Sequence, residues 1–359
     1  MKILFIVPYP LSKSPSQRFR FEQYFQILAQ NNFTFHVQSF VDDGGWAILY
    51  QPGKGLQKFW VITKGLWKRM LIPFHLYFYD FVFIHREAAP VGPPLLEWLI
   101  ANVFRKKIIY DFDDAIWLTD RKNESYWFRL LKWRSKVASI CKWSYKVSAG
   151  NLFLCNFARQ YNLNVVLNPT TIDTEKVHNA ALFKVNRNPH KVCIGWTGSH
   201  STLKYLHSIE PVLATLEKKY PQLEFLVIAD KAPELALQNL RFLPWSVETE
   251  ISGLLQADIG IMPLPDDEWA KGKCGFKALQ YMALEIPALA SPVGVNIQII
   301  THAQTGFLCS TNAEWEASLE VLITNSTLRT QMGTAGRAEV VNNYSLLSNC
   351  ANFLSLFRK

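Results

Sequence analysis

The chain has 359 residues, of which 49% are hydrophobic and 19% charged, a composition that excludes a disordered protein and favours two globular domains. Residues 1–170 hold 22 Lys and Arg against 11 Asp and Glu, a formal charge of +11, whereas residues 171–359 carry −2. The basic half predicts a polyanionic partner, a membrane surface or nucleic acid. Dispersed cysteines argue against a disulfide framework or metal site, and no uninterrupted apolar run predicts a transmembrane helix.

Short apolar runs bounded by turns alternate with segments of helical period along the whole chain, which predicts a doubly wound α/β fold. The runs that predict buried strands are 3–7, 81–84, 107–110, 165–167, 192–196, 225–228, 259–262 and 288–290. The helical segments are 21–29, 203–219, 248–256 and 276–283. Because a strand and glycine turn restart after VLNPTTID, we predict two Rossmann-like domains, 1–168 and 169–344, with a terminal helix at 345–359 packing back on the first.

Charged residues follow three strands of the N-terminal half, where parallel sheets bind ligands. Arg18 and Arg20 lie in the loop after the first strand, which lacks the GxGxxG pattern of dinucleotide binding. At the end of a later strand stand His85, which fits a structural or a catalytic role, and Arg86. For the carboxylates that follow the next strand, hydroxyl binding, base catalysis, a metal cluster and helix capping are the alternatives: Asp111, Asp113 and Asp114.

Two stretches of this half mix aromatic and basic residues. Residues 56–79 have Trp, Phe and Lys or Arg at helical spacing, which favours a helix in a lipid headgroup layer over a core helix with a basic outer face. For residues 126–146 core packing is the favoured interpretation. The N-terminal MKILFIVPYPL predicts a strand rather than a secretion signal.

Two helix starts in the C-terminal half have the features of a phosphate site. CIGWTGSHSTLKYL (193–206) runs from a strand through a glycine turn to hydroxyl groups and Lys204, for which helix capping is the alternative role. GKCGFKALQYMALEIPALASPVG (272–294) runs from a glycine loop into an amphipathic helix, with lysines crowded at one turn: Lys271, Lys273 and Lys277. Backbone N–H groups at a helix start and nearby cations favour a diphosphate. The acidic residues 266–268 fit sugar hydroxyls or a solvated turn.

Taken together, these segments resemble the family 4 glycosyltransferases of the GT-B fold over nearly the whole chain. VVLNPTTIDTEKV (165–177) is similar to the family's domain-crossing segment, and NLRFLPWSVETEISGLLQADIGIMPLP (239–265) to its strand–helix–strand motif. The 272–294 stretch resembles the family's Glu-x7-Glu region, and GTAGRAEVVNNYS (333–345) its C-terminal motif. The resemblance implies two Rossmann-like domains that face each other across a cleft.

The resemblance also implies donor-site roles for particular residues. Lys204 matches the basic residue that grips the donor diphosphate, and Gly275 and Phe276 match the backbone amides at the phosphate. Gln280 stands where the second Glu of the motif binds the ribose diol. The remaining donor-binding positions are Gly198, Ser199, Thr202, Glu268, Lys273, Cys274 and Lys277.

Four positions depart from the family pattern. Ser199 replaces an Arg, Gly272 and Gln280 replace the two Glu residues, and Asp113 stands where many members have a His near the transferred sugar. A Gln can still hydrogen-bond two hydroxyls, but a Gly cannot replace a carboxylate. We therefore expect Asp267 or Glu268 to reach the sugar, and the lysines to replace the Arg in stabilising the leaving diphosphate.

The resemblance implies a retaining glycosyltransferase that uses a UDP- or GDP-sugar, without cofactor or metal, and glycosylates a glycan or lipid-linked acceptor in bacterial surface-glycan biosynthesis. Its predicted catalytic residues are Asp113, Lys204 and Lys273, and its predicted acceptor-binding residues are Arg18, Arg20, His85, Arg86, Asp113 and Asp114. We expect a cytoplasmic protein, peripheral on the anionic inner face of the cytoplasmic membrane. One alternative is a degenerate GT-B protein that binds nucleotide-sugar or glycan without transfer. Nucleic-acid binding ranks last, because no reader motif is present.

Overall fold

The structure, a computed structural model, describes residues 1–49, 51, 53–119, 124–185 and 187–358. It consists of two compact units: unit 1, made of Met1–Thr170 and Cys350–Lys359, and unit 2, made of Thr171–Asn349. The chain leaves unit 1 within VLNPTTID, where the sequence predicts the crossing. Lys359, the last residue of the predicted terminal helix, lies outside the described residues.

Unit 1 is built on a parallel sheet whose strands run in the order β2-β1-β3-β4-β5-β6. The sheet grows in one direction from β1 to β2 and in the other from β3 to β6, so its switch point lies between β1 and β3. The strands are β1 (Lys2–Val7), β2 (Thr34–Ser39), β3 (Phe81–His85), β4 (Lys107–Phe112), β5 (Lys146–Ala149) and β6 (Val165–Leu167).

A cluster of aromatic rings packs between the central strands of this sheet and the C-terminal segment. Phe5 and Phe83 of the central strands pack on Phe357, and Phe353 stacks on Tyr24 with 4.1 Å between ring centroids. The last helix therefore belongs to the core of unit 1. The helices are α1 (Pro15–Arg18), α2 (Phe25–Gln30), α3 (Asp43–Leu49), α4 (Gly55–Leu71), α5 (Leu95–Trp98), α6 (Tyr126–Lys132), α7 (Lys136–Trp143), α8 (Leu152–Arg159) and, after unit 2, α17 (Cys350–Ser355), with 3-10 turns at Glu22–Tyr24 and Ile72–Phe78 and a π turn at Leu99–Val103.

Unit 2 repeats the architecture with strand order β12-β11-β10-β7-β8-β9, again all parallel. Its switch point lies between β7 and β10, because β8 and β9 extend the sheet on one side and β11 and β12 on the other. The strands are β7 (Val192–Thr197), β8 (Leu223–Ala229), β9 (Leu240–Pro244), β10 (Ile259–Met262), β11 (Ala288–Ala290) and β12 (Gly306–Leu308).

The helices of unit 2 bury apolar residues against this sheet. One core cluster joins Ile194 and Phe225 of the sheet to Leu213 and Leu319 of two helices. The helices are α9 (His200–Leu203), α10 (Glu210–Lys219), α11 (Glu250–Leu254), α12 (Glu268–Lys271), α13 (Phe276–Ala283), α14 (Asn296–Ile299), α15 (Asn312–Thr324) and α16 (Ser326–Glu339), with 3-10 turns at Ala180–Leu182 and Leu206–Ser208 and a π turn at Val340–Tyr344.

The two parallel sheets with helices confirm the predicted α/β class and two-domain fold. The eight predicted strands are present, but β2, β5, β9 and β12 were not predicted. Three of these four, β2, β9 and β12, lie at sheet edges, where a half-exposed strand lacks the continuous apolar run of a buried one.

Two helix predictions are wrong in part. The predicted helix 203–219 is interrupted, since α9 ends at Leu203 and α10 begins at Glu210, where Pro211 cannot continue a preceding helix. Core packing of residues 126–146 holds for α7, which buries Val137 and Ile140, but α6 buries no residue at all. Within this segment α7 packs against β4.

Candidate functional site

In unit 2 the loops after β7 and β10 leave the sheet on opposite sides of its switch point, the position where open α/β sheets bind ligands. The first loop carries Gly198, Ser199 and Thr202, and the second leads through α12 to Gly275 and α13. Both sequence-predicted phosphate loops therefore lie at one end of one sheet.

Close backbone packing shapes both loops. Gly275 has a φ of +68°, and a Cβ there would lie 2.2 Å from Cδ1 of Ile299. A Cβ on Gly198 would lie 2.5 Å from the Trp196 ring. Only glycine fits at these two positions, so the start of α13 and the turn after β7 leave their backbones uncovered by a side chain of their own.

Tyr281 fastens α13 to the end of β7. Its ring lies over Gly260, where a Cβ would be 2.3 Å away, and its hydroxyl accepts a 3.0 Å hydrogen bond from the Thr197 N–H. Burial raises the pKa of Tyr281, so the hydroxyl stays neutral. The two loops are thereby held at a fixed separation, a contact that the sequence did not predict.

Four lysines surround the loops, but they have different environments. Lys204, Lys273 and Lys277 place their ammonium groups over the rings of Tyr205, Trp269 and Trp196, at 5.3, 5.6 and 5.3 Å from the centroids. Lys271 pairs with Glu268 and Asp266 at 3.1 and 3.5 Å, and the hydrogen bond that its ammonium donates to Glu268 raises the pKa of Lys271. The acidic turn therefore neutralises Lys271.

The carboxylates of this turn have local partners. Asp267 caps α12 by accepting a 2.7 Å hydrogen bond from the Ala270 N–H, and Glu268 pairs with Lys271. Gly272 closes the same helix. Contact of Asp267 or Glu268 with a sugar stays a prediction.

The loop after β7 contains a His–Asp pair that the sequence did not reveal. Asp230 at the end of β8 accepts hydrogen bonds from the backbone N–H and from Nδ1 of His200, each at 2.6 Å. Ser199 and Ser201 share a 2.8 Å hydrogen bond, and Thr202 donates to the Ser199 carbonyl. The sequence did contain a signal for this pair. Asp230 directly follows β8, and His200 follows β7, the strand that pairs with β8.

Gln280 is almost fully buried, with 2% of its surface exposed. Its Nε2 lies 3.3 Å from Oε1 of Glu250 and 3.2 Å from Nε2 of His178. Neither Glu250 nor His178 was a predicted site residue. A Glu at position 280 would place its carboxylate beside that of Glu250, and two like charges in a buried site repel each other. This repulsion is a physical reason for Gln280 in place of the second Glu of the family motif.

In unit 1 the carboxyl end of the sheet holds a buried charged network around Asp111. Arg20 donates from two nitrogens to its carboxylate, His85 Nδ1 lies 2.8 Å from Oδ2, and Ser148 donates to Oδ1. Burial alone would raise the pKa of Asp111, but Arg20 and His85 outweigh it and hold the pKa well below its usual range. Asn168 completes the network by accepting from Arg20 through its carbonyl.

This network reaches the surface at Ser16, a residue that the sequence did not suggest. Ser16 is half-buried in α1, and its Oγ lies 3.5 Å from Nε2 of His85. Because the ionised Asp111 only accepts, His85 donates from Nδ1, which leaves Nε2 directed at the Ser16 hydroxyl. Arg20 and His85 are thus buried around Asp111, and Ser16, which also shares a 3.0 Å hydrogen bond with Ser14, is the more exposed residue beside His85.

Arg86 organises the other predicted acceptor residues. It has a φ of +61° and donates to Asp113 at 2.8 and 2.9 Å and to Asp114 at 2.5 Å. Burial lowers its pKa, but the two carboxylates more than compensate and raise it above its usual value. Arg18 lies over the Phe19 ring at 4.9 Å. The structure therefore brings together Arg86, Asp113 and Asp114, whereas Arg20 and His85 bind Asp111 of β4 instead.

Across the described residues, no cluster of three or more His, Cys, Asp or Glu side chains has the arrangement of a metal site. Over the same residues, no helix is long and apolar enough to cross a membrane.

The sequence of unit 2 matches a known family. Residues 183–339 match the family described as "Glycosyl transferases group 1", a segment that contains both candidate donor loops. No curated protein matches the chain by sequence.

Solved structures match nearly the whole chain. Sucrose-phosphate synthase from Thermosynechococcus elongatus is 13% identical, with a TM-score of 0.68 over 100% of this chain and 98% of that one. Anabaena Alr3699/HepE in complex with UDP and glucose is 13% identical, with a TM-score of 0.65 over 99% and 98%. WaaG, a glycosyltransferase involved in lipopolysaccharide biosynthesis, is 12% identical, with a TM-score of 0.63 over 99% and 100%. This likeness shows the fold, which is the GT-B fold of glycosyltransferases.

Proposed function

We propose that the protein is a retaining glycosyltransferase of family 4 that binds a nucleotide-sugar at the switch point of unit 2. The observation that carries the proposal is the pair of glycine-shaped loops, joined through Tyr281 and surrounded by Lys204, Lys273 and Lys277. These loops lie inside the segment that matches the group 1 glycosyltransferases. The complex of Alr3699/HepE with UDP supports a nucleotide-sugar as the donor.

Charge stabilisation is the main chemical requirement for this transfer. As the bond between the sugar and the diphosphate breaks, negative charge builds up on the leaving diphosphate. The three lysines would hold that charge, together with the backbone N–H groups of Gly275 and Phe276. The diphosphate would then assist in taking the proton of the attacking acceptor hydroxyl, as the resemblance to family 4 implies, in a transfer that needs no metal.

We place the acceptor at the carboxyl end of the unit 1 sheet. Asp113 and Asp114 offer carboxylate oxygens to sugar hydroxyls, and Arg86 holds both in position. Arg20 and His85 contribute indirectly, since both are buried and hold Asp111 in place at the end of β4. Asp113 would take the role of the His that many members have near the transferred sugar.

A thermal-shift panel tests the donor. Purified protein would be melted with UDP-glucose, other UDP-sugars, GDP-mannose and the free nucleotides, because a ligand that binds only the folded state raises the melting temperature. We expect one nucleotide class to raise it in a saturable manner. Lys204→Ala should reduce that rise, whereas Lys271→Ala should not. No rise with any nucleotide or nucleotide-sugar would contradict the proposal.

A second candidate is a GT-B protein that binds a nucleotide-sugar or glycan without transferring the sugar. The observation that favours it is the loss of both motif carboxylates, with Gly272 closing α12 and Gln280 engaged by Glu250 and His178. Release of free nucleotide without an acceptor discriminates the two functions. Slow, saturable release of the nucleotide favours the enzyme, whereas tight binding without any release favours the binding protein.

We also propose that unit 1 binds an anionic membrane surface through α4 and the following 3-10 turn. The buried positions of this segment are Gly65, Arg69, Ile72 and Leu76, spaced along one helical stripe. Most of its large apolar side chains lie on the other side and are exposed to solvent: Leu56, Phe59, Trp60, Leu66, Trp67, Met70, Leu71, Phe74, Tyr77 and Phe78. An amphipathic helix normally buries its apolar face, but α4 exposes most of its apolar side chains, which suits a lipid interface.

Arg69 fixes this orientation. Its guanidinium is buried and donates to the carbonyls of Val7, Gln38 and Ala88 at 2.8, 3.0 and 2.7 Å. Burial lowers the pKa of Arg69 to about 9. Because these carbonyls lie at or just beyond the ends of β1, β2 and β3, the guanidinium side of α4 must face the sheet and Trp67 must face outward.

Sedimentation with vesicles tests this surface. We expect the protein to bind phosphatidylglycerol-containing vesicles more tightly than pure phosphatidylcholine vesicles, and salt to weaken the binding. Trp60→Ser with Trp67→Ser should weaken it about tenfold or more, since each indole contributes on the order of 1.5–3 kcal/mol when buried. Leu347→Ser, an exposed apolar site in unit 2, is the control. Equal binding to both vesicle types would contradict the proposal.

A further inference from the structure

The short helix α6 exposes apolar side chains that no part of the described chain covers. Tyr126 and Trp127 are 64% and 71% exposed, and Leu130, Leu131 and Trp133 are exposed as well. Two basic residues interrupt them, and one, Arg129, lies over the Tyr126 ring at 6.0 Å. Aromatic and leucine side chains mixed with basic ones are the composition of a lipid interface.

This helix is fastened to the loop after β3, residues 86–94. The Leu131 carbonyl accepts a 2.8 Å hydrogen bond from Gly92, and Lys132 donates to Glu87 and the Pro90 carbonyl. The buried Lys136, which begins α7, pairs with Glu87 at 2.7 Å. The Leu131 carbonyl and the Lys132 side chain thereby hold the last turn of α6 against this loop, while the apolar side chains of the helix are exposed.

The same loop contacts α4 on its other side. Arg69 donates to the Ala88 carbonyl, one residue from the Glu87 that binds Lys132. The loop after β3 therefore lies between the last turn of α4 and the end of α6. Arg86, which holds the proposed acceptor carboxylates Asp113 and Asp114, begins this loop.

Charge supports a bilayer as the occupant of both helix surfaces. Residues 1–170 carry a formal charge of +11. Near the end of the α4 segment, Lys106 lies over the Tyr77 ring at 5.8 Å and Lys2 over the Phe78 ring at 5.9 Å. Cations next to exposed rings match an anionic headgroup layer above an apolar one.

We infer that α6 is a second lipid-contacting element, that α4 and α6 flank the acceptor loop, and that the acceptor is an amphiphile anchored in the bilayer rather than a soluble polysaccharide. The inference rests on the proposed glycosyltransferase function. Docking on two lipid-contacting helices brings the residues between them, 86–94, to the level of the headgroups. A saccharide attached to a membrane lipid meets Asp113 and Asp114 there, whereas a polymer in solution gains nothing from that surface.

Hydrogen exchange of the full-length protein tests the surface. On adding vesicles of phosphatidylcholine and phosphatidylglycerol, we expect slower exchange in residues 55–79 and 124–133, and no change in residues 312–324 of α15. Protection of 55–79 alone would overturn the role of α6. Protection of 124–133 at high protein concentration without vesicles would indicate a second copy of the chain as the occupant, and would also overturn it.

Variants of α6 separate this inference from the function on which it rests. Trp127→Ser with Leu131→Ser should weaken vesicle binding at least tenfold, and Leu347→Ser should not. Because α6 buries no residue, the unfolding midpoint and the thermal shift with nucleotide-sugars should stay as in the wild type. If the wild-type protein shows no thermal shift with any nucleotide-sugar, the proposed donor site is contradicted. Vesicle binding by the α6 variants still decides whether α6 contacts lipid.

The acceptor class is tested by transfer of radiolabelled sugar from the donor that stabilises the protein. Bacterial total lipid extract in vesicles and the soluble polysaccharide fraction of the same cells serve as the two acceptor sources. We expect label in the organic phase with the lipid extract, reduced at least tenfold by the α6 double variant. Label only in water-soluble polymer would overturn the amphiphile acceptor.

Discussion

The carboxyl ends of the two sheets hold charged residues in different environments. At the carboxyl end of the unit 1 sheet, Asp111 is fully buried and meets Arg20, His85 and Ser148, so its charge is balanced inside the protein. At the corresponding end of the unit 2 sheet, Lys204 and Lys273 lie over aromatic rings.

This difference separates a site whose charges are buried and compensated from one whose ammonium groups lie over aromatic rings. A buried pair such as Arg20 and Asp111 holds strands in place and changes little when a ligand arrives, because its charges already compensate each other. A cation over an aromatic face keeps its attraction for an incoming anion. We therefore expect mutations in unit 1 to act first on stability, and those in unit 2 to act first on turnover.

Asp111→Ala should have the largest effect on stability. It leaves the buried Arg20 without its carboxylate, and removing one partner of a buried ion pair costs about 3–5 kcal/mol. Asp114→Ala is the matched control, because Arg86 keeps Asp113 as a partner. Urea denaturation would measure both variants. Equal losses of unfolding free energy in the two variants would contradict the distinction between the buried Asp111 network and the half-buried Arg86 network.

Lys204→Ala and Lys273→Ala should each lower turnover about 10²–10³-fold, the usual cost of removing one stabilising group from developing charge. Their unfolding free energies should remain near that of the wild type. Lys271→Ala should retain most activity, because its ammonium already pairs with Glu268 and Asp266. Steady-state kinetics with the identified donor would measure this, and near-normal turnover in both variants would refute the donor assignment.

Gly275→Ala should impair both stability and donor binding. The left-handed φ costs about 1–2 kcal/mol with a Cβ, and the collision with Ile299 adds about 1–3 kcal/mol of overpacking. Gly92→Ala isolates the first cost, since Gly92 has a φ of +80° and no atom within 4 Å of the added Cβ. Thermal melting with and without donor would compare them, and equal effects would contradict the close packing at Gly275.

Asp111→Asn should change the pH dependence of stability, the smallest of these effects. The folded state holds the pKa of Asp111 below its unfolded value of about 4, so this carboxylate stabilises the protein above that pH and the contribution is lost as the pH falls through the folded pKa. We therefore expect wild-type stability to fall more steeply than that of Asp111→Asn on acidification below about pH 4. Parallel curves in pH-dependent urea denaturation would show that Asp111 is not the titrating group.

Local patterns in the sequence were enough to predict some elements accurately. The helix at 276–283 and the strands at 165–167, 259–262 and 288–290 have the predicted bounds. The strands have short apolar runs and the helix has an amphipathic pattern, each with glycine, proline or polar residues at its ends, and these signals lie within a few residues of the element. The edge strands β2, β9 and β12 lack that apolar pattern, so pairing with a neighbour decided them.

The residues of the candidate site also fall into a group that the sequence indicated and a group that it did not. The glycines and lysines of the two candidate donor loops could be picked out in the sequence, because turn chemistry and charge are visible in consecutive residues, and their role in donor binding stays a prediction. Ser16, Glu250, His178 and Tyr281 were missed, since their partners lie 69, 30, 102 and 84 residues away in the chain. Contacts at such separations leave no periodic trace in the sequence.

The sequence by itself determined the α/β class, the crossing near residue 170 and the loops that present glycine and lysine, because these depend on interactions between near neighbours in the chain. Only the tertiary structure decided which face of each amphipathic segment is buried. The pattern of α4 allows Trp67 to face the core, but Arg69 binds carbonyls at the ends of three strands and turns Trp67 to solvent. Helical periodicity defines the two faces, and only the neighbouring elements choose between them.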